Sequence, residues 1–266
     1  MLSTLVMIMA IAPILGPMLG GLLLKVSGWQ ANFWLLTAIG AVMLLAACRL
    51  PETLPAGKRA TGTLASAFRA YGPLLRNRAY MRTTLCVTFF YVAIYAFIAG
   101  SPFVYLTYFG LDSNWYGPLF GVNILGVVAL SAANRRLLQR YSLAQMLKVS
   151  TRLAAAASVL LSVFALTGVG GLWGIVLPVF AVFSMNGIIA ACCNAASLAS
   201  VDSQSAGSAA ALMGALQYGS GVVSSLLLAA FSTGTPRTMS VVITVFVVLS
   251  ALMVQGGSKQ EKPVFA

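Results

Sequence analysis

The chain has 266 residues, of which 60% are hydrophobic and only 8% charged, and its mean hydropathy is +0.94. Soluble domains carry about 25% charged residues, so this composition excludes a soluble fold and implies an all-α polytopic membrane protein. The net charge of +12 does not point to nucleic acid, because the Lys and Arg residues fall between apolar stretches, as the positive-inside rule produces.

Residues 1–24 carry no charge and are long enough to cross a hydrocarbon core at about 1.5 Å per residue. They also hold Pro13, Gly16, Pro17, Gly20 and Gly21. Such breakers survive in lipid only where neighbouring helices or cavity water satisfy the freed carbonyls. Gly16 and Gly20 form a small-xxx-small face. Gly16, Pro17, Gly20 and Gly21 are therefore expected to make a close helix contact with a part in gating; an ordinary glycine-rich packing helix is the alternative. Further apolar stretches follow at 31–49, 82–109, 115–133, 149–167, 171–198, 207–231 and 237–255, giving eight predicted spans. Only the connection 50–81 is long. It divides the chain into a two-helix part (1–49), a central loop (50–81), a six-helix part (82–255) and a tail (256–266). Within the loop, Leu64, Phe68, Tyr71 and Leu75 share one helical face, which predicts an amphipathic helix on the inner membrane surface. A plain basic tether is the alternative.

Of the sixteen Lys and Arg residues, only Lys25 and Arg237 fall on one side of this eight-span scheme; the other fourteen fall on the opposite side. Both termini and the loop 50–81 are therefore expected in the cytoplasm. Trp29, Trp34, Trp115 and Trp173 fall near the other interface, as an aromatic belt does. The first span alone, with Lys25 after it and no basic residue before it, favours the reverse orientation. The seventh span, with Gly207, Gly214, Gly219 and Gly221, is glycine-rich like the first, and each begins a final pair of helices. These features lead to the expectation that four further helices belong in front of the chain.

Catalytic chemistry has little to work with. There is no histidine, and Cys48, Cys86, Cys192 and Cys193 lie in apolar spans without a CxxC pair, so they read as packing residues and no metal site is expected. No nucleophile–base pair emerges, so an enzyme is not expected. Polar and aromatic residues in mid-span are the candidates for substrate contact: Tyr91 and Tyr95, one turn apart; Phe97 ahead of a predicted break at Gly100-Ser101-Pro102; Asn123; Asn186 and Asn194 with Met185; and Gln217 with Tyr218. Rings, Met and amides suit flat, weakly polar compounds without demanding one shape. For each residue the alternative is helix–helix packing. Gly100 and Pro102 read as a hinge.

Gly16-Pro17-Met18-Leu19-Gly20-Gly21 resembles the antiporter motif in the fifth helix of major facilitator superfamily drug exporters, with Ala12 where the pattern has an earlier glycine. Gly28-Trp29-Gln30-Ala31-Asn32-Phe33-Trp34 resembles the start of the sixth helix, and Leu50-Pro51-Glu52-Thr53-Leu54-Pro55 its exit. Ser101-Pro102-Phe103-Val104-Tyr105 is similar to the seventh helix of the Bcr/CflA branch. Asn134-Arg135-Arg136 with Arg140 resembles a degenerate loop between helices eight and nine, and Ala206-Gly207-Ser208-Ala209-Ala210-Ala211-Leu212 the entry to helix eleven. The matches are collinear over nearly the whole chain. The resemblance implies a partial major facilitator fold covering helices five to twelve. It also implies multidrug or antibiotic efflux by proton antiport in the bacterial inner membrane. Its partners would be small-molecule drugs, protons and the bilayer, with the proton gradient as energy source and no cofactor. The family's membrane-embedded aspartate of helix one, its helix-four arginine and its cytoplasmic loop motif between helices two and three have no counterpart here. Glu52, Asp112, Asp202 and Glu261 all fall in predicted loops or the tail. The expectation is a fragment lacking the coupling acids, with the missing helices supplied by another chain; a non-transporting membrane remnant or interaction subunit is the alternative.

Overall fold

The computed structural model describes residues 19–24, 26–49, 71–202 and 205–255, and among them the chain is helical with no strand. Seven helices among the described residues are long and apolar enough to cross a membrane: Gln30–Cys48, Arg78–Tyr108, Ser113–Leu137, Leu143–Thr167, Gly171–Ala199, Ala206–Ala230 and Pro236–Gln255. They reproduce seven of the eight predicted spans. Most of the first predicted span, including Gly16 and Pro17, lies outside the described residues. The chain divides into two compact units, Met1–Leu64 and Ala65–Ala266, with the boundary inside the predicted 50–81 connection.

The first unit contains α1 (Gln30–Cys48), entered through Gly28, whose φ of 77° is a left-handed value that glycine adopts at little cost. The Asn32 amide donates to the Gly20 carbonyl at 3.4 Å, and a Cβ on Gly20 would lie 3.5 Å from Asn32 Oδ1. Gly20 thus lies against the first turn of α1. Gly21 has open space on its Cβ side.

The second unit comprises α2 (Tyr71–Arg76), α3 (Arg78–Pro102), α4 (Ser113–Leu137), α5 (Leu143–Thr167), α6 (Gly171–Ser184), α7 (Asn186–Ala199), α8 (Ala206–Ala230) and α9 (Pro236–Gln255). Helices α6 and α7 make one span interrupted at Met185. Helix α3 is central, packed against α7, α8 and α9; α5 packs on α6, α7 and α9, and α4 on α6 and α7. The core runs along α3 through Cys86, Val87, Phe90, Ala93, Ala96 and Phe97, all buried. Between helices in lipid the drive is van der Waals fit rather than escape from water. Close approach is accordingly built from small residues. A Cβ on Gly187 of α7 would collide with the Val127 carbonyl and lie 2.7 Å from the Ser131 amide of α4, while one on Gly126 would collide with the Ser184 hydroxyl.

Local chemistry explains where the prediction needs correction. Helix α3 begins at Arg78, not residue 82, because Asn77 Oδ1 caps it by accepting from the Ala79 and Tyr80 amides at 3.0 and 3.1 Å. Within α2 the buried apolar residue is Leu74, packed with Tyr80 and Ala209, whereas Leu75 of the predicted amphipathic face is 54% exposed. Leu64 and Phe68 lie outside the described residues. The expected break at Gly100-Ser101-Pro102 is not a break. Pro102 has no amide hydrogen to continue the ladder, and the helix widens into a π-helical segment, Phe103–Tyr108, instead of ending. Gly100 is a packing contact, with Met239 of α9 at 3.0 Å from its Cβ position.

The alternation of the helices gathers Arg78, Arg82, Arg135, Arg136 and Lys148 at one end of the unit and leaves Arg237 at the other. The basic end is tied together by the first turns of α3. Asn77 Nδ2 donates to the Ser200 carbonyl at 2.9 Å, the Tyr80 hydroxyl to the Ala209 carbonyl at 2.7 Å, and the Arg82 guanidinium to the Met253 carbonyl at 3.1 Å. The bonds to Ser200 and Met253 close the carbonyl ends of α7 and α9, and the Tyr80 bond fixes α3 to the first turn of α8.

Candidate substrate-binding wall

Tyr91 and Tyr95 stand one turn apart on α3, half-buried, with ring centroids 6.0 Å apart and edge-on at 64°. Tyr218 of α8 turns its ring toward Tyr91 at 6.5 Å and 80°, and is itself 71% exposed. The Tyr95 ring lies over Gly221 of α8, whose Cβ position is 3.5 Å from the ring. Asn186, at the start of α7, sits beside the Tyr91 hydroxyl, and its buried Oδ1 has no hydrogen-bond partner among the described residues. All four residues lie near the midpoints of their spans. The result is a corner of three phenols and one free amide oxygen, assembled from three helices.

The other predicted residues fall elsewhere. Gln217 is buried on the α8 face that carries Ala209, Met213, Ser220 and Ser224, the face packed toward α3. Asn123 is 3% exposed and its amide donates to the Leu119 carbonyl at 3.2 Å within its own helix, so it joins none of the corner's contacts. Asn194, two turns along α7 from Asn186, has a second buried Oδ1 without a partner among the described residues. Phe97 belongs to a separate aromatic box. It stacks on Phe120 at 5.7 Å and 12°, meets Phe183 edge-on at 5.3 Å, and lies 6.2 Å from Tyr105. Tyr116 completes the box, 6.3 Å from Tyr105, with its hydroxyl 3.0 Å from the Ser101 hydroxyl. Tyr105, Tyr116, Phe120 and Phe183 escaped the reading of the sequence. Their one local trace is the i, i+4 spacing of Ser101 with Tyr105 and of Tyr116 with Phe120.

The corner offers π faces and phenolic donors, with an enclosed amide acceptor beside them, a set suited to flat, weakly polar molecules held by stacking and one or two hydrogen bonds. The acids among the described residues, Asp112 and Asp202, lie outside the spans, Asp112 as the cap of α4 and Asp202 beyond α7. Among the described residues no group of three His, Cys, Asp or Glu is placed to hold a metal ion. Cys86 and Cys192 serve packing: Cys86 Sγ lies 3.3 Å from the Ser250 hydroxyl and Cys192 Sγ 3.5 Å from Asn134 Oδ1.

The family model described as Major Facilitator Superfamily matches residues 1–225. The chain belongs to the Major Facilitator Superfamily. It is therefore a member of a transporter family and not of an enzyme class, and a multi-pass membrane protein. It is 38% identical over 130 residues, 48% of its length, to an uncharacterized MFS-type transporter, YdgK, of Bacillus subtilis. It is 25% identical over 255 residues, 94% of its length, to a bicyclomycin resistance protein homolog of Haemophilus influenzae. It is also 33% identical over 126 residues, 46% of its length, to the multidrug transporter MdfA of Yersinia pestis. These alignments cover 32%, 63% and 31% of the relatives' own lengths. The chain thus spans less than two thirds of each.

Proposed function

We propose that this major facilitator chain belongs to a proton-driven exporter of small, flat antibiotics of the Bcr/CflA group. It would sit in the bacterial inner membrane with both termini and residues 50–81 on the cytoplasmic side. The collinear motifs, the relatives named for bicyclomycin resistance and multidrug transport, and the fourteen-to-two division of basic residues support that reading. The observation that carries it is the mid-span corner of Tyr91, Tyr95, Tyr218 and Asn186. In this reading a drug stacks on the phenol rings and, as it enters, uncovers the enclosed Asn186 oxygen, which then accepts one hydrogen bond from it. Both interactions strengthen where water is excluded. Proton coupling needs a group that changes its protonation within the membrane. No Asp or Glu stands inside the described spans, so we assign the coupling acid to helices outside them, supplied in the same assembly.

The test has two arms. Binding of a fluorescent lipophilic antibiotic to the purified chain in lipid nanodiscs should weaken about tenfold in Tyr91→Ala and in Asn186→Ala, since one stacked ring or one desolvated hydrogen bond is worth about 1–2 kcal/mol. Leu160→Ala, on an exposed face of α5, should leave it unchanged. Equal affinities in all variants would overturn the assignment of the wall. Uncoupler-sensitive efflux from energised vesicles holding only the 266-residue chain would overturn the assignment of the coupling acid.

A further inference from the structure

Helices α3 and α7 run antiparallel along one seam, and three sets of contacts fix their register. Near the basic end the Thr83 and Thr84 hydroxyls lie 2.7 and 3.3 Å from the Ser197 hydroxyl. About one turn further along both helices the Cys86 thiol hydrogen-bonds the Cys193 thiol. Beyond them Asn186 sits beside the Tyr91 hydroxyl. Residue numbers rise on α3 as they fall on α7, so the cysteine pair is a rung of the ladder that also carries the aromatic corner. By the rise of a helix, Tyr91 stands about 7.5 Å past Cys86 along α3, and Asn186 about 10 Å before Cys193 along α7.

Cys86 and Cys193 are each 0% exposed and belong to one apolar core. The adjacent thiol is turned elsewhere, since Cys192 Sγ lies 3.5 Å from Asn134 Oδ1 of α4. Helix phase therefore selects one pair among the three sulfurs of the seam. Two thiols in hydrogen-bond contact across a helix pair stand near the spacing of a disulfide, whose Cβ atoms lie about 3.5–4.5 Å apart. Joining them strands no backbone group. The Ser250 hydroxyl of α9 donates to the Cys86 carbonyl at 2.7 Å and keeps that bond in either state of the sulfur.

We propose that Cys86 and Cys193 form a redox lock on the drug-binding wall, an inference that rests on the reading of that wall given above. Hydrogen peroxide, small and uncharged, oxidises one thiol to a sulfenic acid and leaves as water. The second sulfur then displaces the sulfenic hydroxyl as a second water, so two thiols and one peroxide give one disulfide and two waters. A drug reaches the enclosed Asn186 oxygen only when α7 parts from Tyr91 of α3. A covalent bridge less than two turns from the corner holds the two helices at their closed spacing. Reduced, the wall opens to its drug; oxidised, it keeps the amide covered. In a reducing compartment such a bridge is transient and reports oxidation.

The experiment uses the full chain carrying Cys48→Ala, because the exposed Cys48 thiol couples separate molecules. In lipid nanodiscs, hydrogen peroxide should remove two hydrogens from its mass and give joined Cys86 and Cys193 peptides on digestion. Its affinity for the fluorescent lipophilic antibiotic should fall about tenfold, as for loss of the Asn186 contact, and dithiothreitol should restore it. On the same background Cys193→Ala should keep its affinity under peroxide, and Cys192→Ala should respond as its parent does. Absence of the joined peptides would overturn the lock. So would an equal loss of affinity in Cys193→Ala, which would trace the effect to methionine oxidation. If the bridge forms and affinity holds while Tyr91→Ala weakens binding, the wall stands and the lock is overturned. If Tyr91→Ala also binds unchanged, the wall is overturned and the lock with it.

Discussion

Tyr105 offers a test of the packing at the level of a single oxygen atom. Its side chain is 0% exposed, and its hydroxyl has no hydrogen-bond partner among the described residues. The ring itself is well held between Phe97 and Tyr116. Tyr105→Phe removes the hydroxyl and keeps the ring. An unpartnered buried hydroxyl costs about 1–3 kcal/mol, so the variant should recover a large part of that. For a unit of this size about 1 kcal/mol moves the unfolding midpoint by roughly 2–4 °C, so a rise of about 2–6 °C is expected. Tyr80→Phe is the matched opposite. The Tyr80 hydroxyl donates to the Ala209 carbonyl at 2.7 Å, and its loss should lower the midpoint by a comparable amount. Thermal unfolding of the three proteins in one detergent and lipid mixture, followed by intrinsic tryptophan emission, reads both changes. A lower midpoint for Tyr105→Phe would refute the reasoning, because it would mean that the hydroxyl is satisfied and contributes to stability.

Two glycines of similar sequence context should respond oppositely. Gly187→Ala places a methyl group against the backbone of α4 and should cost about 1–3 kcal/mol, whereas Gly214→Ala meets nothing within 4 Å and should gain about 0.5–1 kcal/mol from helix propensity; thermal midpoints decide, and a neutral Gly187→Ala would show that α4 and α7 can separate freely. Arg82→Gln removes the charged donor that closes the end of α9 and should lower stability by about 1.5–3 kcal/mol, measured by the same melts. In a variant lacking Cys48, single cysteines replacing Ala60 and Asn114 should react with an impermeant maleimide from opposite faces of the membrane; labelling from the same face would overturn the orientation read from the basic residues.

The spans were legible because lipid leaves the chain few options. A stretch near twenty apolar residues must satisfy its own backbone, and only a helix does so alone. Helix ends were less legible, since they depend on individual caps. Asn77 looks like any loop residue until its side chain is seen accepting from two amides and donating to Ser200. The π-helical turn at Phe103–Tyr108 has the composition of an ordinary helix, and only Pro102 hints at it. Tyr91 and Tyr95 could be paired from their spacing. The encounter of Phe97, Phe120 and Phe183 from three helices could not, because periodicity gives the phase of a helix but not its neighbour.

Asn123 and Asn186 show where that limit falls. Each is one amide in an apolar span, and the two are equivalent as sequence. Asn123 can reach the carbonyl one turn back and takes it. Asn186 stands at the first turn of α7, after the interruption at Met185, and its oxygen finds no partner. Its direction is fixed by the residue that follows. Gly187 seats against the α4 backbone at Val127 and Ser131, and the residue before it is rotated by about 100° around the helix. That rotation carries Asn186 off the α4 contact and beside Tyr91 of α3. A glycine chosen for close packing thus aims the amide of the proposed binding wall. The methyl group of Gly187→Ala should therefore weaken drug binding as well as packing, even at temperatures where the variant remains folded.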